Sequence, residues 1–136
     1  MIKDYTPDRI IIEPSGVGKL SDVIQAVRGV AEEMQVHMNS FTTVADALKC
    51  KMYMKNFGEF FNNQIAYANT IVLSRTQNLN EEKLHDVIHA LRHENEHARM
   101  ITTPWEKLDG KEILQAMEQS DDLAKELLEE SAICPE

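Results

Sequence analysis

The sequence predicts an α/β fold, an open parallel sheet of about four strands with flanking helices. Short β-branched runs such as Ile10-Ile11-Ile12 and Thr70-Ile71-Val72-Leu73 read as strands buried on both faces. Segments with apolar residues at three- and four-residue spacing separate them and read as helices. Each strand ends in polar or acidic residues, and the carboxyl ends of parallel strands are where such sheets place their chemistry.

The elements follow in order. Ile10 to Ile12 forms the first strand, ending at Glu13 and the turn Pro14-Ser15-Gly16. Leu20, Val23, Ile24, Val27, Val30, Ala31 and Met34 mark one face of a helix. Within His37 to Asp46, the residues Phe41, Thr42, Thr43 and Val44 carry strand propensity. Leu48, Met54, Phe57, Phe61 and Ile65 give the next helix an aromatic inner face, with Gly58 as a bending point. Thr70 to Leu73 is the following strand, and it runs into Ser74-Arg75-Thr76-Gln77-Asn78. Asn80 is a suitable N-cap for a helix carrying Leu84, Val87, Ile88 and Leu91. Arg99 to Thr103 reads as the last strand, and Pro104 to Gly110 as a loop holding the only Trp. Asp109 and Glu112 fit a D-x-x-E start to a final helix through Met117, Leu123, Leu127 and Leu128. The resulting β-α-β-α-β-α-β-α order implies right-handed crossovers.

Composition narrows the function classes. The 136 residues suit one domain with a single core. A net charge of −9, with no concentration of Lys or Arg, lacks the basic footprint that nucleic acid or an anionic membrane surface requires. No apolar run reaches the length of a membrane span, and MIKDYTPDR has no hydrophobic signal segment. Cys50 and Cys134 lie far apart and read as reduced thiols of a cytoplasmic protein.

Gly16-Val17-Gly18-Lys19 follows a strand and opens a helix, as a phosphate loop does. The P-loop pattern G-x-x-x-x-G-K-[ST] is nonetheless unmet, because Glu13 stands at the first glycine and Leu20 at the hydroxyl position. Four other stretches are more telling in combination: Glu13-Pro14-Ser15-Gly16, Val44-Ala45-Asp46-Ala47, Phe61-Asn62-Asn63-Gln64-Ile65, and Val72-Leu73-Ser74-Arg75-Thr76-Gln77. In order and spacing they resemble the CobW family of P-loop GTPases, the CobW, HypB and UreG nucleotide-binding group associated with metal delivery. That family carries E-x-S-G, V-V-D-A, F-x-x-Q-I and V-L-[NS]-K-x-D at the corresponding places.

The resemblance implies the C-terminal part of a P-loop NTPase-like G domain, single over 1–136 with a helix and tail at 121–136. GTP and Mg²⁺ are the cofactors it implies. Glu13 would hold Mg²⁺ or its water, and the Gly16 N–H would contact the γ-phosphate, chemistry that is mostly electrostatics and positioning. Ser74, Arg75 and Gln77, beside Thr103 and Pro104, would form the base site. A client protein receiving a metal is the implied partner.

Two departures shape the expectation. Nine residues precede Ile10, fewer than a strand, glycine loop and helix need, so the P-loop and the family's C-x-C-C metal motif are expected to be absent. Such a chain would turn over no GTP and would self-associate through an exposed sheet edge. Gln77 stands where the family has Asp, and its NH₂ would face guanine's donors, so guanine selectivity should fall. Ser74 replaces Asn and Arg75 replaces Lys, although Arg can also stack on a base.

His85, His89, His93 and His97 recur every four residues, on the side of their helix opposite Leu84, Val87, Ile88 and Leu91. Imidazoles on neighbouring turns can share Zn²⁺ or another transition metal. The alternative function is therefore a non-catalytic metal-binding or protein-interaction module using this stripe. Cys50, Met52 and Met54 suggest a soft-metal cluster, but core packing is the favoured reading. Cys134-Pro135-Glu136 resembles the first half of a C-P-x-C knuckle.

Overall fold

The computed structural model describes residues 2–16 and 18–118. A short helix α1 (Ile2–Tyr5) leads into an irregular segment and then α2 (Leu20–Met34). Strand β1 (Thr42–Asp46), helices α3 (Cys50–Asn56) and α4 (Gly58–Ala66), and strand β2 (Thr70–Ser74) follow. After a 3₁₀ turn at Thr76–Asn78 come α5 (Glu81–Glu94), β3 (Arg99–Ile101) and a second 3₁₀ turn at Trp105–Lys107. A last helix, α6, begins at 110 and is described through 118. The expected helix and tail at 121–136, with Leu123, Leu127, Leu128 and Cys134, lie outside the described residues.

The sheet is parallel and open, in the order β1-β2-β3. Thr42 to Asp46 pair with Thr70 to Ser74 in register, while β3 pairs only from Arg99 to Ile101, opposite Thr70 to Val72. β2 lies in the middle and is covered on both faces, which is why its apolar run is continuous. Ile71 and Leu73 enter the main core with Ala45, Cys50, Ile65, Val87, Leu91 and Ala98. Val72 faces the other way, onto Ile101, Leu108, Ile113 and Ala116. Fully burying an aliphatic side chain is worth about 1.5–3 kcal/mol, so Ile65, Ile71, Leu73 and Leu91 dominate the fold's stability.

β1 alternates instead. Thr43 and Ala45 are buried, and Val44 is 60% exposed because α6 covers β2 and β3 but not this edge.

The helix boundaries follow local chemistry. Asn80 caps α5, its side-chain oxygen accepting from Lys83 N at 2.8 Å. Asp109 likewise starts α6, accepting from Lys111 N at 3.2 Å. The segment read as one helix bent at Gly58 is two helices, since Phe57 leaves the helical conformation between them. Asn95, buried at the end of α5, donates to the carbonyls of Ile65 and Ala68 at 2.8 and 2.7 Å. Its oxygen accepts from His97 N and Ala98 N, so one amide fixes the end of α4 and the entry to β3.

One expectation fails outright. Ile10 to Ile12 is not a strand: the run is irregular, and Ile11 is 87% exposed. β-branched residues lower the cost of an extended backbone, but pairing and a covering layer decide whether a strand forms. Among the described residues nothing pairs with this run, so the sheet has three strands where about four were expected.

Candidate functional site

The loops that follow the three strands gather at the carboxyl edge of the sheet. Asp46 ends β1 with its carboxylate largely buried, and one of its oxygens accepts from Leu48 N at 2.9 Å. The other lies 3.4 Å from an Arg75 guanidinium nitrogen. Arg75 itself sits at φ 61°, a left-handed conformation that costs a non-glycine residue roughly 1 kcal/mol. This kink turns the chain sharply from β2 into the 3₁₀ turn Thr76–Asn78, leaving Gln77 exposed at the edge. Ser74 Oγ donates to Ala45 O at 3.4 Å, and Ala47 N donates to Ser74 O at 3.0 Å, tying the ends of β1 and β2 together. Thr76 is 4% exposed, and its hydroxyl has no partner among the described residues.

From the β3 side, Thr102 to Leu108 bends back across the same edge. Pro104 is extended at φ −54°, and Lys107 N closes the Trp105 turn on Pro104 O at 2.9 Å. The indole N–H of Trp105 donates to Leu73 O at 3.1 Å, while Leu108 packs into the core beside Val72. The Trp105 contact brings the loop that carries Thr103 and Pro104 to β2 at Leu73. Between the first two strand-end loops and α5 lies a cleft of about 340 Å³, lined by Ala47, Leu48, Lys51, Leu79, Lys83 and Asp86.

The N-terminal residues form a separate group. Glu13 and Gly16 are exposed in the irregular segment ahead of α2. Helix α4 grips the turn that follows them. Gln64 Nε2 donates to Gly16 O at 3.2 Å and Gly18 O at 3.3 Å. Asn63 exchanges hydrogen bonds with Ser21, through Ser21 N at 3.1 Å and Ser21 Oγ at 3.0 Å. Glu59 pairs with Lys19 at 2.8 Å, and this hydrogen-bonded contact raises the Lys19 pKa and lowers that of Glu59.

These contacts bear on whether the residues fit Mg²⁺ and a triphosphate. A phosphate cradle needs free backbone N–H groups, an available lysine and a hydroxyl ligand. Here Gly18 N donates to Ser15 O, Lys19 is engaged by Glu59, and Leu20 stands at the hydroxyl position. Gly18, Lys19 and Leu20 do not fit a triphosphate with its metal.

The other candidates resolve plainly. His85, His89, His93 and His97 are all exposed, the first three along α5 and His97 beyond its end. No three His, Cys, Asp or Glu side chains among the described residues are grouped to hold a metal ion. Cys50 is fully buried in the core and Met54 packs against it, whereas Met52 is exposed. Desolvation, with a smaller push from the Asp46 charge, raises the Cys50 thiol to about 11, so it stays protonated and inert at neutral pH. No helix among the described residues is long and apolar enough to cross a membrane.

Gln64, Trp105 and Asn95 were assigned no role from sequence. Gln64 stood inside a quoted motif, and a lone Trp immediately after a strand end was the signal for Trp105. Asn95 gave no sequence signal.

Comparison with curated proteins and with solved structures gives no match. A family model described as CobW/HypB/UreG, nucleotide-binding domain, matches residues 1–102, which include β1, β2, β3 and all the quoted motifs. With three-quarters of its length matched and a parallel sheet in which two of the quoted motifs end β1 and β2, the chain belongs to the CobW/HypB/UreG nucleotide-binding family.

Proposed function

We propose that this chain is the base-binding portion of a CobW-type GTP-binding domain and does not hydrolyse nucleotide on its own. The observation that supports the reading is the arrangement at the end of β2. Arg75, kinked into a left-handed conformation and leaning toward Asp46, shares the strand end with Ser74 and Gln77. The loop bearing Thr103 and Pro104 is pinned beside it through Trp105 and Leu73. Ser74, Arg75, Gln77, Thr103 and Pro104 are the base-contacting residues in this reading. Glu13 and Gly16 are the phosphate-facing pair in this reading, and the turn at 18–20 beside them is not built as a phosphate cradle.

The family places such domains in metal delivery, so the cargo is a metal ion and the partner a metal-receiving client protein. The protonated, buried thiol of Cys50 suits a reducing compartment, and we place the chain in the cytoplasm. The free edge of β1, with Val44 exposed, is the surface through which copies would associate.

Calorimetric titration with GDP and ADP tests the base site. Binding should be weak and nearly equal for the two, because the Gln77 amide presents donors to guanine's donors. Gln77→Asp should restore guanine preference by roughly tenfold, the scale of one good bidentate contact. Tight guanine selectivity in the unmodified chain, or no gain in the variant, would refute the assignment. GTP turnover should not exceed a buffer blank; a rate abolished by Glu13→Ala would show that the phosphate site is complete.

A further inference from the structure

The indole of Trp105 is the least explained group at the carboxyl edge. Its N–H is fixed on Leu73 O at 3.1 Å, yet the residue is 52% exposed. Capping one strand-end carbonyl requires a donor and not a large ring, since Ser74 O is satisfied by the plain backbone N–H of Ala47. The ring is also held rigidly. Pro104 sets the entry, the 3₁₀ turn follows, and Leu108 anchors the exit in the core beside Val72. A rigid exposed aromatic with its polar atom already satisfied offers a π-face to a partner at little entropic cost.

The neighbours define the chemistry of that partner. Leu73 and Arg75 lie two positions apart in the chain, at most about 7 Å between their Cα atoms. The guanidinium leans toward β1, where Asp46 neutralises it, and the indole arrives from the β3 side. Ser74 and the exposed amide of Gln77 belong to the same strand-end turn as Arg75. Uncharged hydrogen-bonding groups beside an aromatic plane suit a heteroaromatic base; they suit phosphate less well, since Asp46 offsets the Arg75 charge.

The geometry points to Trp105 as the base-stacking residue of this edge, taking the planar heterocycle of a purine nucleoside against its indole face. This assignment rests on the base-binding reading above and adds the residue that supplies most of its affinity. Stacking depends on the π-face and not on the hydrogen-bonding pattern, so it explains how a site without the family's Asp could still hold a base with little discrimination.

Trp105 is the only tryptophan in the chain, so its intrinsic fluorescence reports on this ring alone. The chain is titrated with guanosine, adenosine, ribose and inorganic triphosphate while calorimetry follows binding independently. Both nucleosides should quench the emission, and ribose and triphosphate should not. Trp105→Ala should lower nucleoside affinity about tenfold, within the range for one base stacked on an aromatic ring. Trp105→Phe, which keeps a ring but loses the N–H, should retain most of the affinity. Calorimetric binding with unchanged fluorescence and an unaffected Trp105→Ala variant would overturn the stacking role and leave the base site standing. Absence of heat with every nucleoside and nucleotide would overturn the base site and the stacking role with it. Should Trp105→Ala fail to fold, the emission of the unmodified chain still decides, since unquenched fluorescence at saturating nucleoside sinks the assignment.

Discussion

The carboxyl edge of the sheet and the Asp8–Lys19 segment carry motifs of the same family, yet they have opposite physical character. At the edge, Asp46, Ser74, Arg75 and Trp105 are fixed by strands buried on one or both faces and by hydrogen bonds that cross from strand to strand. The N-terminal residues Ile10, Ile11, Ile12, Glu13 and Gly16 are exposed, and the turn after them is held mainly by the side chains of α4. A motif thus retains its residues whether or not its surroundings position them. The geometry of the edge is enforced by the core; the N-terminal acid and glycine have no such enforcement.

The largest test of that contrast is a pair of truncations. Leu73→Ala removes a fully buried side chain from the main core and should cost about 2–5 kcal/mol in chemical denaturation. Ile11→Ala, at a position 87% exposed, should change stability by less than about 0.5 kcal/mol. Comparable losses would show that the isoleucine run is buried in solution, against the structure described here.

A smaller effect is expected where the two regions meet. Gln64→Ala removes both bonds to the Gly16 and Gly18 carbonyls and should lower stability by about 1 kcal/mol. Its signature is local: protease cleavage between Ser15 and Lys19 should accelerate while amide exchange in β2 stays unchanged. Equal acceleration in both places would mean that the turn and the sheet unfold as one unit.

The smallest effect is electrostatic. Pairing lowers the Glu59 pKa, so its contribution is present above the ordinary carboxyl range and is lost as pH falls through the depressed folded value. Lys19, raised by the same contact, keeps its contribution below the ordinary lysine range and loses it as pH rises through the folded value. Between these limits Glu59→Gln should produce only a slight, salt-sensitive loss, since surface pairs contribute little and are screened. A large loss that persists in high salt would place the pair in a desolvated setting and tighten the N-terminal region considerably.

Much of the fold could be read from sequence because the relevant signals were local. Thr70–Leu73 declared a doubly covered strand, and Asn80 and Asp109 declared helix starts through their own side chains. The periodic apolar residues Val87 and Leu91 found the core as expected. The failure at Ile10–Ile12 is instructive, since β-branched sequence reports a preference for extended backbone, and the presence of a partner strand is a property of the whole molecule. The residues of the candidate site could be located in part for a similar reason. Ser74 ends its strand and Arg75 and Gln77 come just after it, so finding the strand located them. Trp105 reaches Leu73 across 32 positions of sequence, and no local pattern encodes that contact. The histidine spacing placed the imidazoles on an exposed surface correctly, but spacing alone supplies no third ligand, and none joins them among the described residues.

The unequal pairing of the sheet sets how the molecule should breathe. β2 is matched over five residues by β1 and over only three by β3, with Met100 the central residue of the shorter match. Opening that begins at β3 breaks fewer bonds than opening at β1, so in native-state exchange its amides should belong to a lower-energy excursion. The loop carrying Thr103, Pro104 and Trp105 hangs directly from β3 and would travel with it. One wall of the carboxyl edge is therefore suspended from the loosest strand and the other from the tightest, and a ligand bridging the two would slow the exchange of β3 far more than that of β1.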